Sequence, residues 1–263
     1  MNTTEKKMVE ILTELREKYG LAGIKTEFEL EGARMEDLCR LKEITMASGL
    51  GITLKIGGCE AITGMKAARV IGVSKIVAPM IESAYAMRKF VRAAKSVFPE
   101  DELVDIKLAI NIETITGYNN YDEMLASPDF DSLGGVVIGR GDLIGSMGHT
   151  GFEALNSDEM LDMCNSLFER TKKKRASCEC LLGGVPSPES FPFLSRMKPG
   201  LVDEYESKKI MFHSTGVYGD KETEGFRKGM EFEYLWMVNK RDYYARIAAE
   251  DNRSIERAEQ SRA

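Results

Sequence analysis

The chain has 263 residues, of which 43% are hydrophobic, and its 36 basic and 42 acidic side chains give a net charge of −6. This length and apolar content suit one large domain, and the acidic balance, with no basic face interleaved with aromatic residues, argues against a nucleic-acid partner. No apolar run approaches the length of a membrane span, and the polar segment Met1–Met8 is unlike a signal peptide, so we expect no membrane partner. Five cysteines, an odd number in a chain of this size, fit a reduced protein and predict a cytoplasmic location.

Helix and strand patterns alternate in the amino-terminal part of the chain. Apolar residues at helical spacing predict amphipathic helices, and short runs rich in Ile and Val predict buried strands. The predicted helices cover residues 4–19, 35–48, 62–71 and 84–98, and the predicted strands cover residues 24–30, 52–56 and 75–80.

The first predicted strand carries an unusual number of acids. Glu27, Glu29 and Glu31 lie on one face of it, because side chains alternate with a period of two. Carboxylates that pointed outward would be buried under covering helices, which is unfavourable. We therefore expect these side chains to point inward or to lie at the rim of the sheet.

The central segment reads as a strand, a helix and a second strand. The apolar runs 106–112 and 135–138 have the length of buried strands, and the span 120–126 between them is helical. In such a crossover unit the strands are parallel and their carboxyl ends open on the same side. Glu113 and Asp142 follow the two strand ends, so both carboxylates are expected at one rim, close enough to share a cation.

This pair of acids fits a hard divalent cation. Two carboxylates with open positions for water and ligand oxygens suit Mg²⁺ or Mn²⁺ better than zinc. Without a metal, Glu113 would cap a helix and Asp142 would be a turn residue. Nearby glycines favour a binding site, since they bring backbone N–H groups close to a bound oxyanion. These glycines are Gly139, Gly141, Gly145 and Gly148.

The carboxyl-terminal part of the chain continues the alternation and ends in a long helix. A helix over 158–174 and a strand over 176–182 lead into the Gly183 loop, which can host a ligand anion. Residues 201–212 are predicted to form the last strand, although it is unusually charged. The helical pattern of 221–263 has an apolar, aromatic face that suggests a subunit contact, so we expect a homo-oligomer formed through this helix.

Two motifs resemble a known family. Ile-Glu-Thr at 112–114, followed by Gly-Val-Val-Ile-Gly-Arg-Gly-Asp-Leu-Ile-Gly-Ser-Met-Gly at 135–148, is similar to the HpcH/HpaI aldolase and citrate lyase β-subunit family, and the resemblance extends more weakly over residues 24–212. It implies an α/β fold, the (β/α)₈ TIM-type barrel, that binds a divalent metal and forms or cleaves carbon–carbon bonds through an enolate. Glu113 and Asp142 fall on the family's metal ligands.

The resemblance also defines how the chain is organised. In this family a strand precedes the one that corresponds to 24–30, and the sequence shows none. We therefore expect a barrel over 1–220 with an atypical or missing first strand, in which helix 4–19 covers the amino-terminal end. Residues 221–263 are expected to be a helical extension that makes the subunit contact.

The resemblance further assigns roles to single residues. Lys55 stands where the family has an arginine that clamps the substrate; it keeps the charge but loses the bidentate geometry. The alternative is a lysine paired with Glu31 or Glu60. Glu31 is the best acid–base candidate, acting through a metal-bound water, because Gly32 stands where the aldolase branch has its histidine. His149 either supplies the missing proton carrier or is an exposed loop histidine.

Together these features predict a metal-dependent carbon–carbon lyase or aldolase for a 2-oxo acid or a related small carboxylate. Mg²⁺ or Mn²⁺ would stabilise the enolate, and Lys55 would neutralise the same charge. The substrate is expected at the backbone of Gly139, Arg140 and Gly141 and at the Gly183 loop. The alternatives are phosphoenolpyruvate-type or C–O bond chemistry on the same barrel, and a barrel that binds a ligand without turnover.

Overall fold

Eight strands close into a barrel in the computed structural model, which describes residues 1–262. In chain order the strands are β1 (Leu21–Glu27), β2 (Ile52–Lys55), β3 (Lys75–Ala78), β4 (Lys107–Ile112), β5 (Gly135–Gly139), β6 (Glu179–Gly183), β7 (Glu204–Glu206) and β8 (Ile210–His213). Each strand pairs with the next one in the chain, and β8 pairs with β1 to complete the ring. The predicted TIM-type barrel is confirmed.

Helices surround and connect these strands. The α-helices of residues 1–262 are α1 (Thr3–Tyr19), α2 (Met35–Ala47), α3 (Ile62–Ile71), α4 (Ala84–Val97), α5 (Glu100–Leu103), α6 (Ile115–Asn119), α7 (Tyr121–Ala126), α8 (Arg140–Ser146), α9 (Phe152–Leu155), α10 (Asp158–Lys174), α11 (Phe191–Arg196) and α12 (Asp220–Gln260). Two short 3₁₀ helices cover Pro128–Ser132 and Pro188–Ser190. The predicted long helices all occur, and β1 begins at Leu21 rather than at Ile24.

Alternate strand residues point out of and into the barrel. The outward residues Ile76, Ile110 and Ile138 belong to the main core between the strands and the helices. The inward residues form a small second core in the centre of the barrel. Its members are Val77, Ala109, Val137, Leu181 and Met211. Because both faces are covered, the central strands have continuous apolar runs instead of alternating patterns.

Charged residues fill the barrel on either side of this inner core, where a TIM barrel usually carries layers of branched apolar side chains. Near the amino-terminal end, Lys75 Nζ lies 2.9 Å from Glu204 and 3.0 Å from Glu179. Towards the carboxyl end, Lys25 Nζ lies 2.5 Å from Glu206. Buried ions require such partners, so these interior charges are neutralised by pairing.

Helix α1 lies along the side of the barrel. The side chain of its N-cap Asn2 accepts a hydrogen bond from Glu5 N, and the Glu5 carboxylate accepts one from Asn2 N. The helix ends at Gly20, where a φ of 71° turns the chain into β1. Its apolar face packs against α12, α2 and β1, so it does not cross the amino-terminal end of the barrel as the sequence suggested.

The barrel closes through a hairpin instead of a parallel crossover. The segment 201–212, predicted as one strand, contributes to two, β7 and β8, which pair antiparallel across the turn 207–209. Strand β8 then pairs antiparallel with β1, at the place where a strand preceding β1 would lie. The missing first strand is therefore replaced by a reversed eighth strand, and a hairpin needs no helix between its strands.

Because β8 runs back to the amino-terminal end of the barrel, α12 starts there and runs along β8 towards the carboxyl end. Phe226 and Trp236 are buried in the core, and the Glu233 carboxylate accepts a hydrogen bond from Lys209 N at 2.8 Å. From residue 245 to residue 262 every side chain is exposed. This helix corresponds to the predicted extension 221–263. No helix within residues 1–262 is both long and apolar enough to cross a membrane.

Candidate active site

The carboxyl ends of the strands open on one side of the barrel, and charged side chains surround this opening. We define the mouth by its ionisable residues, which are Lys25, Glu27, Glu29, Glu31, Lys55, Glu113, Asp142, Glu206 and Lys209. Glu113, directly after β4, is the most buried acid among them, with 1% of its surface exposed. A carboxylate at this depth requires hydrogen-bond donors.

Three N–H donors point at the Glu113 carboxylate. Its Oε1 accepts a hydrogen bond from Met80 N at 2.9 Å, and its Oε2 accepts bonds from Asn111 Nδ2 at 2.5 Å and Lys55 Nζ at 3.1 Å. Burial raises the pKa of Glu113 to about 7, although the ammonium of Lys55 and the N–H of Met80 oppose that rise. The carboxylate is therefore fixed from β2, β3 and β4 at once.

The end of β5 comes so close to Glu113 that a glycine is required there. Gly139 pairs in register with Gly183 of β6. A Cβ atom at Gly139 would lie 2.8 Å from Cβ and 2.8 Å from Oε2 of Glu113, which is closer than such atoms approach in folded proteins. The absent side chain at Gly139 therefore provides the space that the buried carboxylate occupies.

Lys55, the last residue of β2, reaches across the barrel to Glu113. Its Nζ lies 2.9 Å from Glu29 and 3.1 Å from Glu113, and 6% of the residue is exposed. Burial alone would lower the pKa of Lys55, but the carboxylates of Glu113 and Glu29 raise it above its ordinary range. Glu31 and Glu60, the partners considered from the sequence, bind other lysines.

Backbone strain accompanies the site at Met80, two residues after β3. Within residues 1–262 it is the one non-glycine residue with a positive φ, 50°. This left-handed conformation is unfavourable for a residue with a side chain. Here it directs the N–H group of Met80 at Glu113. The sequence carries no signal for it, because the strain arises from contacts between separate strands.

Arg140, the first residue of α8, is fully buried, and none of its hydrogen-bond partners within residues 1–262 is acidic. Its guanidinium donates to the carbonyl oxygens of Gly183, Gly184 and Leu155 at 3.0, 2.6 and 2.9 Å. Its Cζ lies 4.3 Å from the ring centroid of Phe193, and burial lowers the pKa of Arg140 to about 10. The side chain thus joins the start of α8 to the Gly183 loop, and only its backbone is available to a substrate.

Asp142 lies in the first turn of α8 and is exposed. Strands β4 and β5 are parallel neighbours, so Asp142 and Glu113 follow strand ends on the same side of the barrel, and the charge of Asp142 adds to the effect of burial on the pKa of Glu113. The first N–H groups of α8, including that of Gly141, have no acceptor within the helix. Among residues 1–262, no three carboxylate, imidazole or thiol groups converge to hold a metal ion.

The sequence matches the profile of the family described as HpcH/HpaI aldolase/citrate lyase over residues 41–184, which is more than half of the chain. The chain belongs to this family. The matched span of the HpcH/HpaI family contains Lys55, Glu113 and Asp142, whereas β1 with Glu27 lies outside it. The resemblance inferred from the two sequence motifs is confirmed.

Three solved structures share the barrel at low sequence identity. The HpcH/HpaI aldolase from Desulfitobacterium hafniense DCB-2 has a TM-score of 0.59 and 15% identity, over 73% of this chain and 78% of that chain. Citrate synthase SbnG has a TM-score of 0.54 and 15% identity, over 72% and 78%. An HpcH/HpaI aldolase/citrate lyase family protein from Burkholderia cenocepacia J2315 has a TM-score of 0.53 and 14% identity, over 70% and 87%. No match was found among curated proteins.

HpcH/HpaI family members generally depend on Mg²⁺, but the mouth of this chain does not offer the ion a preformed site. Both oxygens of Glu113 already accept hydrogen bonds from N–H donors, one of them the ammonium of Lys55. Lys55 and Asn111 would therefore compete with a metal ion for Oε2 of Glu113, and only Oε1 keeps a free acceptor position. Metal binding by Glu113 and Asp142 stays a prediction, and the surroundings of Glu113 do not favour it.

Neither of the two proton carriers predicted from the sequence, Glu31 and His149, is placed against Glu113 in this family member. The Glu31 carboxylate accepts hydrogen bonds from Lys209 Nζ at 2.5 Å and Thr26 Oγ1 at 3.0 Å. His149 is exposed beyond the end of α8, and its imidazole makes no hydrogen bond to residues 1–262. Neither residue contacts Glu113 or is oriented by it.

Glu27 is an acid of the mouth that the sequence did not single out for catalysis. It ends β1, two residues after the inward-pointing Lys25, and so points inward too. It is 9% exposed, and its carboxylate makes no hydrogen bond or ion pair within residues 1–262. Burial raises the pKa of Glu27, although Lys25 and Lys55 oppose the rise. Strand periodicity predicted its direction but not its lack of a partner.

The Gly139→Ala substitution tests the close approach of β5 to Glu113. The added Cβ would overlap Glu113, so we expect the free energy of unfolding to fall by about 1–3 kcal/mol in urea denaturation. Gly141→Ala is the matched control, because a Cβ at Gly141 meets no atom within 4 Å and alanine is the better helix former, so this change should not lower the free energy of unfolding. Equal stability of the two variants would contradict this geometry.

Proposed function

We propose that this protein is a carbon–carbon lyase or aldolase that acts on a 2-oxo acid or a related small carboxylate through an enolate. Membership of the HpcH/HpaI aldolase/citrate lyase family supports a lyase-type enzyme. The observation that carries the finer proposal is the buried ammonium of Lys55, which lies in the mouth between Glu113 and Glu29. A fixed positive charge in a site with little water stabilises a developing anion more strongly than it would in solution.

In the proposed reaction, a carbon–carbon bond forms or breaks at the carbon atom next to the oxo carbon of the substrate. Negative charge then develops on the oxo oxygen. The ammonium of Lys55 neutralises that charge. The first backbone N–H groups of α8, at Gly141 and Asp142, receive the substrate carboxylate. The Gly183 loop, which Arg140 holds against the start of α8, borders the same region and keeps it rigid.

We assign the proton transfer to Glu27 in place of Glu31. A catalytic carboxylic acid needs an oxygen that is free to take up a proton and a pKa shifted towards the working pH. Glu27 has no hydrogen-bond partner within residues 1–262, and burial raises its pKa. The carboxylate of Glu31 is instead neutralised by Lys209. Mg²⁺ on Glu113 and Asp142 is the alternative source of positive charge, and Lys55 competes with it for Oε2 of Glu113.

Exchange of the pyruvate methyl protons with D₂O, followed by proton NMR, tests the proposal without a known acceptor. Wild-type protein should accelerate the exchange, because enolate formation removes a methyl proton. Lys55→Met should lower the rate by about 10²–10³-fold, whereas Lys66→Met, at an exposed position on α3, should keep it. If the wild-type protein binds 2-oxo acids but exchanges none of them, the barrel binds ligand without turnover and the enzyme proposal fails.

The pH dependence of the same exchange tests the role of Glu27. Only the ionised carboxylate accepts a proton, so the rate should fall as the pH drops through the pKa of Glu27, which burial places above the ordinary value of 4.5. Glu27→Gln should lower the rate by about 10²–10⁴-fold and remove this acidic limb. Glu36→Gln, at an exposed position on α2, is the control. An unchanged pH profile in Glu27→Gln would exclude Glu27 as the base.

We also propose that the chain forms a homo-oligomer through α12 and works in the cytoplasm. Every residue from 245 to 262 is exposed, and two of them, Ile247 and Ile255, are large and apolar. A helix of about 15 residues is marginally stable alone in water, which favours a second chain as its partner. The five cysteines, all of them free thiols, suit a reducing compartment.

Truncation of the chain after Arg246 tests the proposed oligomer. It retains the hydrogen bond from Tyr244 to Asp37, so thermal unfolding of the isolated subunit should be unchanged. The mass measured by light scattering should fall from that of an oligomer to that of a single chain. An intact oligomer after truncation would assign the subunit contact to another surface.

A further inference from the structure

The cation next to Glu113 in this structure is the ammonium of Lys55. We propose that this ammonium takes the place of a divalent metal ion, so that the folded protein binds neither Mg²⁺ nor Mn²⁺ at Glu113 and Asp142. The inference departs from the general metal dependence of the HpcH/HpaI family. Its consequence for catalysis rests on the proposed function, whereas its test measures cation binding.

The hydrogen bonds of Glu113 occupy three of the roughly four acceptor positions of its carboxylate. Oε1 accepts the N–H of Met80, and Oε2 accepts N–H groups of Asn111 and Lys55. A metal ion on Oε2, at about 2.0–2.1 Å, would displace at least one of its two donors, and a metal ion on Oε1 would share that oxygen with the N–H of Met80. The displaced N–H group would then be buried without an acceptor, which is unfavourable.

Lys55 is also held in place by a second carboxylate. Its Nζ lies 2.9 Å from Glu29, and the residue is almost completely buried. If Lys55 moved away from Glu113, its charge would need another partner in the same mouth. If it stayed, a divalent ion on Glu113 would lie close to a like charge in a poorly screened position. Whether Lys55 moves or stays, binding of a metal ion at Glu113 is unfavourable.

While Lys55 is in place, the other predicted ligand does not complete a metal site. Asp142 is exposed in the first turn of α8, and no group of three acidic, histidine or cysteine side chains converges anywhere in residues 1–262. Oδ1 of Asn111 is buried without a hydrogen-bond partner. It is a single neutral oxygen, however, and the amide that carries it donates to Glu113. This oxygen does not outweigh the ammonium of Lys55, which competes with a metal ion for Glu113.

A fixed single positive charge limits the chemistry that the mouth can supply. Lys55 can neutralise an enolate oxygen, but it has no bound water to activate, unlike a metal ion. A side chain must therefore carry the proton. The unpartnered carboxylate of Glu27, on the strand next to Lys55, meets this requirement, so a metal-free mouth and an acid–base role for Glu27 are consistent with each other.

Titration with Mn²⁺, followed by the loss of the free-ion signal in electron paramagnetic resonance, tests the inference. We expect the wild-type protein and the Glu113→Gln variant to bind the same amount of Mn²⁺, because the wild type has no Mn²⁺ site at Glu113. In Lys55→Ala protein the ammonium is gone, so a new site should form that is at least about tenfold tighter than any site of the wild type. Asp142→Ala in the Lys55→Ala background should weaken the new site, and Lys66→Ala, at an exposed position, should create none.

Two results would overturn the inference. One is binding of one Mn²⁺ per chain to the wild type that Glu113→Gln abolishes. The other is a Lys55→Ala protein that is folded, as checked by circular dichroism, but gains no Mn²⁺ site. If the alanine variant does not fold, Lys55→Met, which keeps more of the side chain, is used in its place. Absence of proton exchange in pyruvate would refute the proposed function and would leave these binding results unaffected.

Discussion

The burial of the Glu113 carboxylate is the constraint on which the mouth depends. Removing one partner of a buried ion pair costs about 3–5 kcal/mol, so such an acid must be compensated by its surroundings. The compensation comes from three strands, through Lys55 at the end of β2, Met80 after β3 and Asn111 within β4. Gly139 of β5 leaves the space for it. These residues form one unit, because loss of the Lys55 or Asn111 side chain removes a donor from the buried carboxylate, and a side chain at Gly139 would overlap it.

The reversed strand β8 determines which of the other acids are neutralised. The hairpin turn before β8 lies at the carboxyl end of the barrel and places Lys209 beside Glu31. The ring of Trp236 on α12 lies 5.5 Å from Lys209 Nζ and shields this pair. A parallel crossover would have placed the start of the strand at the other end of the barrel. The topology therefore explains why Glu31 is neutralised while Glu27 is not.

Local patterns were sufficient to predict the strands from β1 to β6 and the position of Glu113 and Asp142 at one end of the barrel, because strand ends are determined by nearby residues. They failed where contacts cross the barrel. The partner of Lys55 could not be predicted, since β2 and β4 are not neighbours in the ring. The hairpin was missed because the turn 207–209 contains no glycine or proline to interrupt the apparent strand.

The two carboxylates that hold Lys55 differ in how readily they can release it. Glu113 accepts two further hydrogen bonds, whereas the side chain of Glu29 is 28% exposed and its carboxylate has no other partner within residues 1–262. In the proposed reaction, an incoming carboxylate or enolate would therefore compete with Glu29, not with Glu113, for the ammonium. Glu29 lies in the loop between β1 and α2, a kind of segment that is generally more mobile than the strands. Entry of the proposed substrate would then exchange one negative charge for another, and Lys55 would remain paired throughout.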